Sequence, residues 1–296
     1  MFLLSGGVLA GGGVATASYA VGVEPDWLEL TRNVVPTNWL PEGGSLRFLH
    51  LSDLHASFDV PFARITAAFE MGLAAKPDAI FLTGDYITTG KDVDLDQYRE
   101  VLAILPKVAP TFACVGNHDG GRWAHAHDGF NGSKTIRDLL SSAGIQVLHN
   151  RYVEPKFGPH RIQVVGLGDF WTREFDSATA FAGLPREADR LRVVLSHNPD
   201  TKAILQYYSW ELMLSGHTHG GQINVPGFGP PVLPIEDVAY FEGLYEWQGR
   251  RLYITRGVGG VYGAVRFNCR PEVTILDLVH GESPVELTES RPRKRT

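Results

Sequence analysis

The chain has 296 residues, of which 44% are hydrophobic and 20% charged, with 33 glycines and 18 prolines. This composition excludes a disordered chain and allows one large domain with a sizeable core, or two small ones. The formal net charge of −6 argues against a general nucleic-acid binder, because phosphate backbones are held mainly by clustered Lys and Arg. The two cysteines, Cys114 and Cys269, each lie in a strand-like context and supply neither a disulfide framework nor a thiolate zinc site.

The first 23 residues, MFLLSGGVLAGGGVATASYAVGV, carry no charge. At about 1.5 Å per residue they are long enough to cross a bilayer, and Ala15 to Ala17 has the small-x-small form of a signal cleavage site. Residues 1–24 are therefore read as a hydrophobic membrane anchor or signal-like segment, and membrane association is expected. Residues 25–44 read as a connector, with Pro25, Pro36, Pro41 and the Gly43-Gly44 pair breaking any long element. Residues 45–280 form the domain proper, and residues 281–296, ending RPRKRT, a solvated basic tail.

Within that domain strand-like and helix-like patterns alternate. LRFLHLS (46–52), DAIFLTG (78–84) and TFACVG (111–116) are short apolar runs, separated by the helical spacings of PFARITAAFEMGLAA and LDQYREVLAIL (95–105). A helix candidate, SKTIRDLLSSAG, leads to IQVLHN. After it come RIQVVGLG, RLRVVLS (190–196), a helix near PDTKAILQYY, then ELMLSG (211–216), RLYITRG and EVTILDLV. Early βαβ units followed by consecutive strands predict an α/β sandwich of two sheets flanked by helices.

Five strand ends carry Asp, His or Asn: SDLH, TGDY, GNHD, SHNPD and SGHTH. Ligands of open α/β sheets collect beyond the carboxyl ends of strands, so residues 53 to 219 can converge there. Asp85 lies 30 residues beyond His55 and Asn117 lies 32 beyond Asp85, each interval the length of one crossover of about 30 residues. Asp53 and His55 are two apart, as are His217 and His219. Extended backbone puts such pairs on one face, whereas a turn at His217 to His219 aims them at different ions. Imidazole and carboxylate donors without thiolates suit Mn²⁺, Fe²⁺ or Zn²⁺. His125 and His127, in RWAHAHDG, read as loop residues near the cleft entrance.

The ordered set DLH, GDY, GNHD, SHNPD and GHTHGGQ resembles the signatures of the calcineurin-like metallophosphoesterase superfamily over about residues 46–225. The later RGVGGVYGAVRFNCRPEVTILDL, with EPDWLELTR, is similar to one bacterial branch, the membrane-linked phosphodiesterases and UDP-2,3-diacylglucosamine pyrophosphatases. The resemblance implies a four-layered α/β/β/α sandwich of two mixed sheets with a dinuclear metal site at the strand ends. It implies that Asp53, His55 and His219 hold a first divalent ion, Mn²⁺ before Fe²⁺ or Zn²⁺, that Asn117, His197 and His217 hold a second, and that Asp85 bridges them. His118 would contact the phosphoryl oxygen or protonate the leaving group, and Asp119 would orient the His118 imidazole.

The expected substrate is a phosphodiester or pyrophosphate, lipid-linked, and the expected location the bacterial inner membrane. Members often begin with a twin-arginine signal, which this chain lacks. GDYITTG also lacks the Asp-Arg-Gly continuation of protein phosphatases. The apolar VPGFGPPVLPI (225–235) reads equally as the border of an acyl groove and as a proline-rigid connection. Arg256, Arg266 and Arg270 read as salt-bridge partners before substrate contacts.

Overall fold

In the central strands of this protein neighbouring residues look in opposite directions, and both directions are dry. The computed structural model describes residues 16–90, 93–185, 190–261, 263 and 265–281. The first sheet contains β1 (Glu29–Thr37), β2 (Ser45–Leu51), β3 (Ala79–Thr83), β4 (Thr111–Cys114), β5 (Gln146–Val147) and, from much later in the chain, β14 (Glu272–His280). Their spatial order is β1-β14-β2-β3-β4-β5. The second sheet runs β12 (Gly243–Trp247), β13 (Arg250–Ile254), β11 (Leu212–Ser215), β10 (Arg192–Leu195), β9 (Gln163–Gly166), β6 (Arg151–Val153). A two-stranded ribbon, β7 (Lys156–Phe157) with β8 (His160–Arg161), stands apart.

The layers follow from the period of two along each strand. Phe48, Phe81, Phe112, Val164, Val193 and Leu214 fill the space between the sheets. Their chain neighbours Leu49, Ile80, Leu82 and Ala113 face the other way, against the outer helices α1 (Phe62–Leu73), α2 (Leu95–Leu102) and α4 (Lys134–Ser142). On the second sheet Val165, Val194, Met213 and Leu252 turn outwards to Ala180 of α5 (Ser177–Ala180) and Leu205 of α6 (Lys202–Leu205). Three apolar interfaces between four layers make the α/β/β/α sandwich, and both sheets are mixed: β14 is antiparallel to β2, and β12 to β13.

The segment read as a connector is the main departure. It contains β1, which pairs in parallel with β14 from Glu29↔Glu272 to Thr37↔His280. Pro36 had argued against an ordered element, but β1 lies at the edge of its sheet, where a residue without an N–H costs no ladder bond. Helix α2 begins where Asp94 accepts the N–H groups of Asp96 and Gln97, and it ends at Leu102, short of the expected 105, before Pro106. Residues 1–15 of the anchor or signal-like segment and 282–296 of the basic tail lie outside the described residues. Among the described residues no helix is long and apolar enough to cross a membrane.

Candidate metal centre

The five polar strand ends meet at one buried point. β2 leads into Asp53 and His55, β3 into Asp85, β4 into Asn117 and His118, β10 into His197, and β11 into His217 and His219. The ring Nε2 atoms of His55 and His219 are 3.2 Å apart, and that of His219 is 3.3 Å from Asp53 Oδ1. On the other side His197 Nε2 stands 3.1 Å from Asp85 Oδ2 and 3.2 Å from His217 Nδ1. Asp85 Oδ2 is also 3.5 Å from His55 Nε2, so its carboxylate lies between the two groups. Asp53, His55 and His219 form one cluster with the spacing of a metal site, and Asp85, His197 and His217 another.

The backbone accepts strain to aim these side chains. Asp53, His55, Asp85, His217 and His219 all have φ between 47° and 72°, in the left-handed region. Each such residue costs on the order of 1–3 kcal/mol and persists only where surrounding structure over-determines it. Glycines then admit the carboxylates: a Cβ on Gly116 would lie 2.2 Å from Asp85 Oδ1, and one on Gly216 2.1 Å from Asp53 Oδ2.

Three of the imidazoles, those of His197, His217 and His118, are fixed by a far nitrogen. His197 Nδ1 donates to the Thr83 carbonyl at 2.7 Å, leaving Nε2 for Asp85. His217 is turned the other way, with Nε2 donating to the Pro234 carbonyl at 3.0 Å and Nδ1 facing inwards. Such bonds set tautomer and ring orientation in histidine metal sites. His118 Nδ1 donates to the Thr88 carbonyl at 2.9 Å, and its backbone N–H donates to Asp85 Oδ1 at 2.9 Å. The expectation for Asp119 is corrected here. Its carboxylate accepts the backbone N–H groups of Asp85, Tyr86 and Gly116 at 2.7–2.9 Å. It therefore shapes the turn that carries Asp85, while Thr88 orients His118.

The electrostatics suit a cation. Burial and then neighbouring imidazoles hold His55 and His219 well below the ordinary histidine range, and burial with His197 takes His217 down to about 3, so their lone pairs are free. Burial would also lower His197, but Asp85, with Asp53 and Asp169 behind it, raises it to about 10. Burial opposes ionisation of Asp85, yet His197 and His118 keep it well below the usual carboxylate range. The buried Asn117 Oδ1 has no hydrogen-bond partner among the described residues. Neutral imidazoles of His55, His217 and His219 converging on the Asp53 and Asp85 carboxylates, with an orphaned amide oxygen beside them, fit a divalent-cation site.

Several supporting residues escaped the sequence reading. The Thr88 hydroxyl lies 3.3 Å from His55 Nδ1. Arg266, expected to form a salt bridge, is buried and donates instead to the carbonyls of His219, Arg256, Gly257 and Cys269. Arg256 does form ion pairs, with Glu29 at 2.7 Å and Glu272 at 3.4 Å. An aromatic wall lines the mouth: Trp171 packs edge-on to His217 at 4.5 Å between centroids, Trp123 to His118 at 4.6 Å, and His127 stacks on Trp123 at 4.1 Å. His127 thus sits near the entrance, as its loop position suggested. No spacing rule marks the tryptophans, since Trp123 arrives on the short helix α3 (Arg122–His125) and Trp171 on a separate turn.

A two-sheet sandwich with paired carboxylate and imidazole clusters at its strand ends defines a metallophosphoesterase, and the chain belongs to the calcineurin-like phosphoesterase family, whose model matches residues 46–221. It is 40% identical to the phosphodiesterase YaeI of Escherichia coli over 269 residues, 90% of this chain and 95% of that protein. It is 31% identical to the uncharacterized metallophosphoesterase YkuE of Bacillus subtilis, covering 93% of each chain. Similarity extends to the UDP-2,3-diacylglucosamine pyrophosphatase LpxG of Chlamydia muridarum, 28% identical over 89% of this chain and 93% of that one. The protein is a phosphodiesterase-type hydrolase with candidate residues for a divalent metal site.

Proposed function

We propose that the protein uses two divalent cations, Mn²⁺ foremost, to hydrolyse the pyrophosphate of UDP-2,3-diacylglucosamine, releasing UMP and 2,3-diacylglucosamine 1-phosphate, at the bacterial inner membrane. The carrying observation is the position of Asp85 between the two donor clusters, within 3.5 Å of a ring nitrogen from each. Asp53, His55 and His219 would hold one ion, Asn117, His197 and His217 the other, with Asp85 shared. Bound there, such ions polarise a phosphoryl group and make water a competent nucleophile near neutral pH.

The chain's own residues do the rest. His118 has its Nδ1 proton committed to the Thr88 carbonyl, which leaves Nε2 to meet a phosphoryl oxygen or to hand a proton to the departing oxygen. Water supplies the new P–O bond as the bridging oxygen leaves. Asp119 holds the backbone on which Asp85 and Gly116 approach each other, a positioning role at one remove from the reaction.

The lipid-linked substrate is supported by the likeness to LpxG and by the uncharged first 23 residues. The greater identity to YaeI favours a second reading, a phosphodiesterase of other envelope or nucleotide substrates. Assays with Mn²⁺ on acylated and deacylated UDP-glucosamine separate the two. The first reading expects UMP from the acylated compound and a strongly raised KM without the acyl chains, at about 0.8 kcal/mol per buried CH₂. Equal turnover of both, or cleavage of simple diesters alone, leaves the second reading. Hydrolysis in ¹⁸O-water identifies the attacked phosphorus.

A further inference from the structure

The most exposed apolar side chains near the metal centre belong to loops that leave it. Phe58, three residues beyond His55, is 93% exposed, and Phe228 and Val232 are 79% and 73% exposed. The loop carrying Phe228 and Val232 departs from His219 and returns at Pro234, whose carbonyl accepts from His217. Soluble surfaces seldom gather large apolar side chains around one opening without a partner.

Hydrogen bonds stitch the N-terminal segment into this same rim. The Ala20 carbonyl accepts the Arg266 N–H at 2.9 Å, and the buried Glu24 carboxylate accepts the N–H groups of Asn268, at 2.8 Å, and Cys269. Phe267, in between, donates to the Gln222 carbonyl and accepts from Asn224, at 3.0 and 2.8 Å, so it joins the root of the Phe228 loop. On the opposite flank Asp26 pairs with Arg64 of α1, the helix that follows the Phe58 loop. The segment around residues 20–26 thus bridges the two apolar loops, and it adds Val21 and Val23, 57% and 49% exposed. Beside them the Arg270 guanidinium lies 3.5 Å from the centroid of Trp27, a pairing of aromatic ring and cation suited to the level of lipid headgroups.

We propose that this rim is a bilayer-docking face, and that the mouth of the metal centre meets its substrate at the lipid surface. The occupant is a lipid bilayer because the uncharged stretch through residue 23 runs into the rim itself, and any membrane that receives it lies against Phe58, Phe228 and Val232. The proposal rests on the membrane-associated reading above and adds an orientation to it.

The test attaches an environment-sensitive nitrobenzoxadiazole probe to the full-length protein at Phe58→Cys, Phe228→Cys or, as control, Tyr207→Cys. Tyr207 is 84% exposed and lies before the amino end of β11, away from the strand ends that carry the centre; the native thiols of Cys114 and Cys269 are buried. In vesicles of phosphatidylethanolamine and phosphatidylglycerol, probe emission should rise about twofold or more and shift blue at positions 58 and 228, and stay unchanged at 207. Phe58→Ser/Phe228→Ser should retain hydrolysis of bis(p-nitrophenyl) phosphate with Mn²⁺ while losing the probe response at a third site, Val232→Cys. A silent probe at both rim positions in membrane-bound protein overturns the proposal. So does a rise that needs no vesicles and grows with protein concentration, which would make a second copy of the chain the occupant. The probe response does not depend on which phosphoester is cleaved. Docking without cleavage of UDP-2,3-diacylglucosamine therefore upholds this orientation and removes only the substrate.

Discussion

Asp85 and Glu272 are both fully buried carboxylates, and their surroundings make them opposites. Around Glu272 four protein donors converge: the Tyr253 hydroxyl at 2.6 Å, the Thr31 hydroxyl at 2.5 Å, the Thr255 hydroxyl at 3.2 Å and the Arg256 backbone N–H at 2.8 Å. Burial alone would raise its pKa, but Arg256 and these donors hold it below the usual value. Asp85 faces ring nitrogens of His55 and His197 at hydrogen-bonding range, with Asp53 close by. One carboxylate has its charge answered by protein protons and ties β1, β13 and β14 together; the other shares a cavity with lone pairs that only a cation, or protons in its place, can reconcile. The character of a buried charge is read from what its neighbours offer, and burial by itself says little.

Substitutions break the comparison in order of size. Asp85→Ala should lose bound metal and hydrolysis together, a drop of about 10⁴ or more, because both clusters lose their common member. Elemental analysis alongside the assay checks this, and two metals persisting in the variant would reject the shared role. His118→Ala should keep its metal content and lose turnover by about 10² to 10⁴, since its ring acts on the substrate side. Full activity in that variant would remove His118 from the reaction. At the other carboxylate, Glu272→Gln should cost about 3 kcal/mol in denaturant unfolding while leaving metal stoichiometry per folded chain unchanged. Loss of metal there would mean that the two regions are one unit.

Thr88→Val sharpens the contrast on a smaller scale. It removes the hydroxyl 3.3 Å from His55 Nδ1 but keeps the carbonyl that orients His118, so metal affinity should weaken about tenfold with turnover at saturating metal retained. Isothermal titration with Mn²⁺ and a turnover measurement distinguish that split from general damage.

A third carboxylate supplies the smallest effect. Glu211 accepts the backbone N–H of Arg192 at 2.9 Å, and burial, only partly countered by that bond and by Arg192 and Arg250, raises it to about 7. Its folded pKa lies above its unfolded value, so the folded state holds a proton that the unfolded chain releases. The associated stability is complete below about pH 4.5 and is lost as pH rises through about 7. Glu211→Gln should flatten the stability profile across that window, and an unchanged slope would assign it to other groups.

Much of the centre was legible because its donors are short side chains tied to strand ends, where spacing reports crossover length. Asp53, His55, Asp85, His197, His217 and His219 all arrive at the expected point. What could not be read depends on contacts without local pattern. Thr88 acts on His118 through a main-chain carbonyl, which any residue type possesses. Asp119 grips backbone of Asp85 and Tyr86 more than thirty residues away, so its sequence position beside His118 pointed to the wrong partner. Strand β1 carries Pro36 and gains its order from β14, far away along the chain.

The placement of β14 between β1 and β2 has a consequence for how the molecule is made. Synthesis completes β2 at Leu51, yet the strand that covers its free edge begins only at Glu272, about 220 residues later. At about 5–20 residues per second the nascent chain carries that uncovered edge for roughly 10 to 45 s. During this interval β2 offers unpaired N–H and C=O groups to any extended segment that passes, including a neighbouring nascent chain. A strand made this late thus closes the first sheet from within, and translation speed through residues 52–271 sets how long misassembly has to compete.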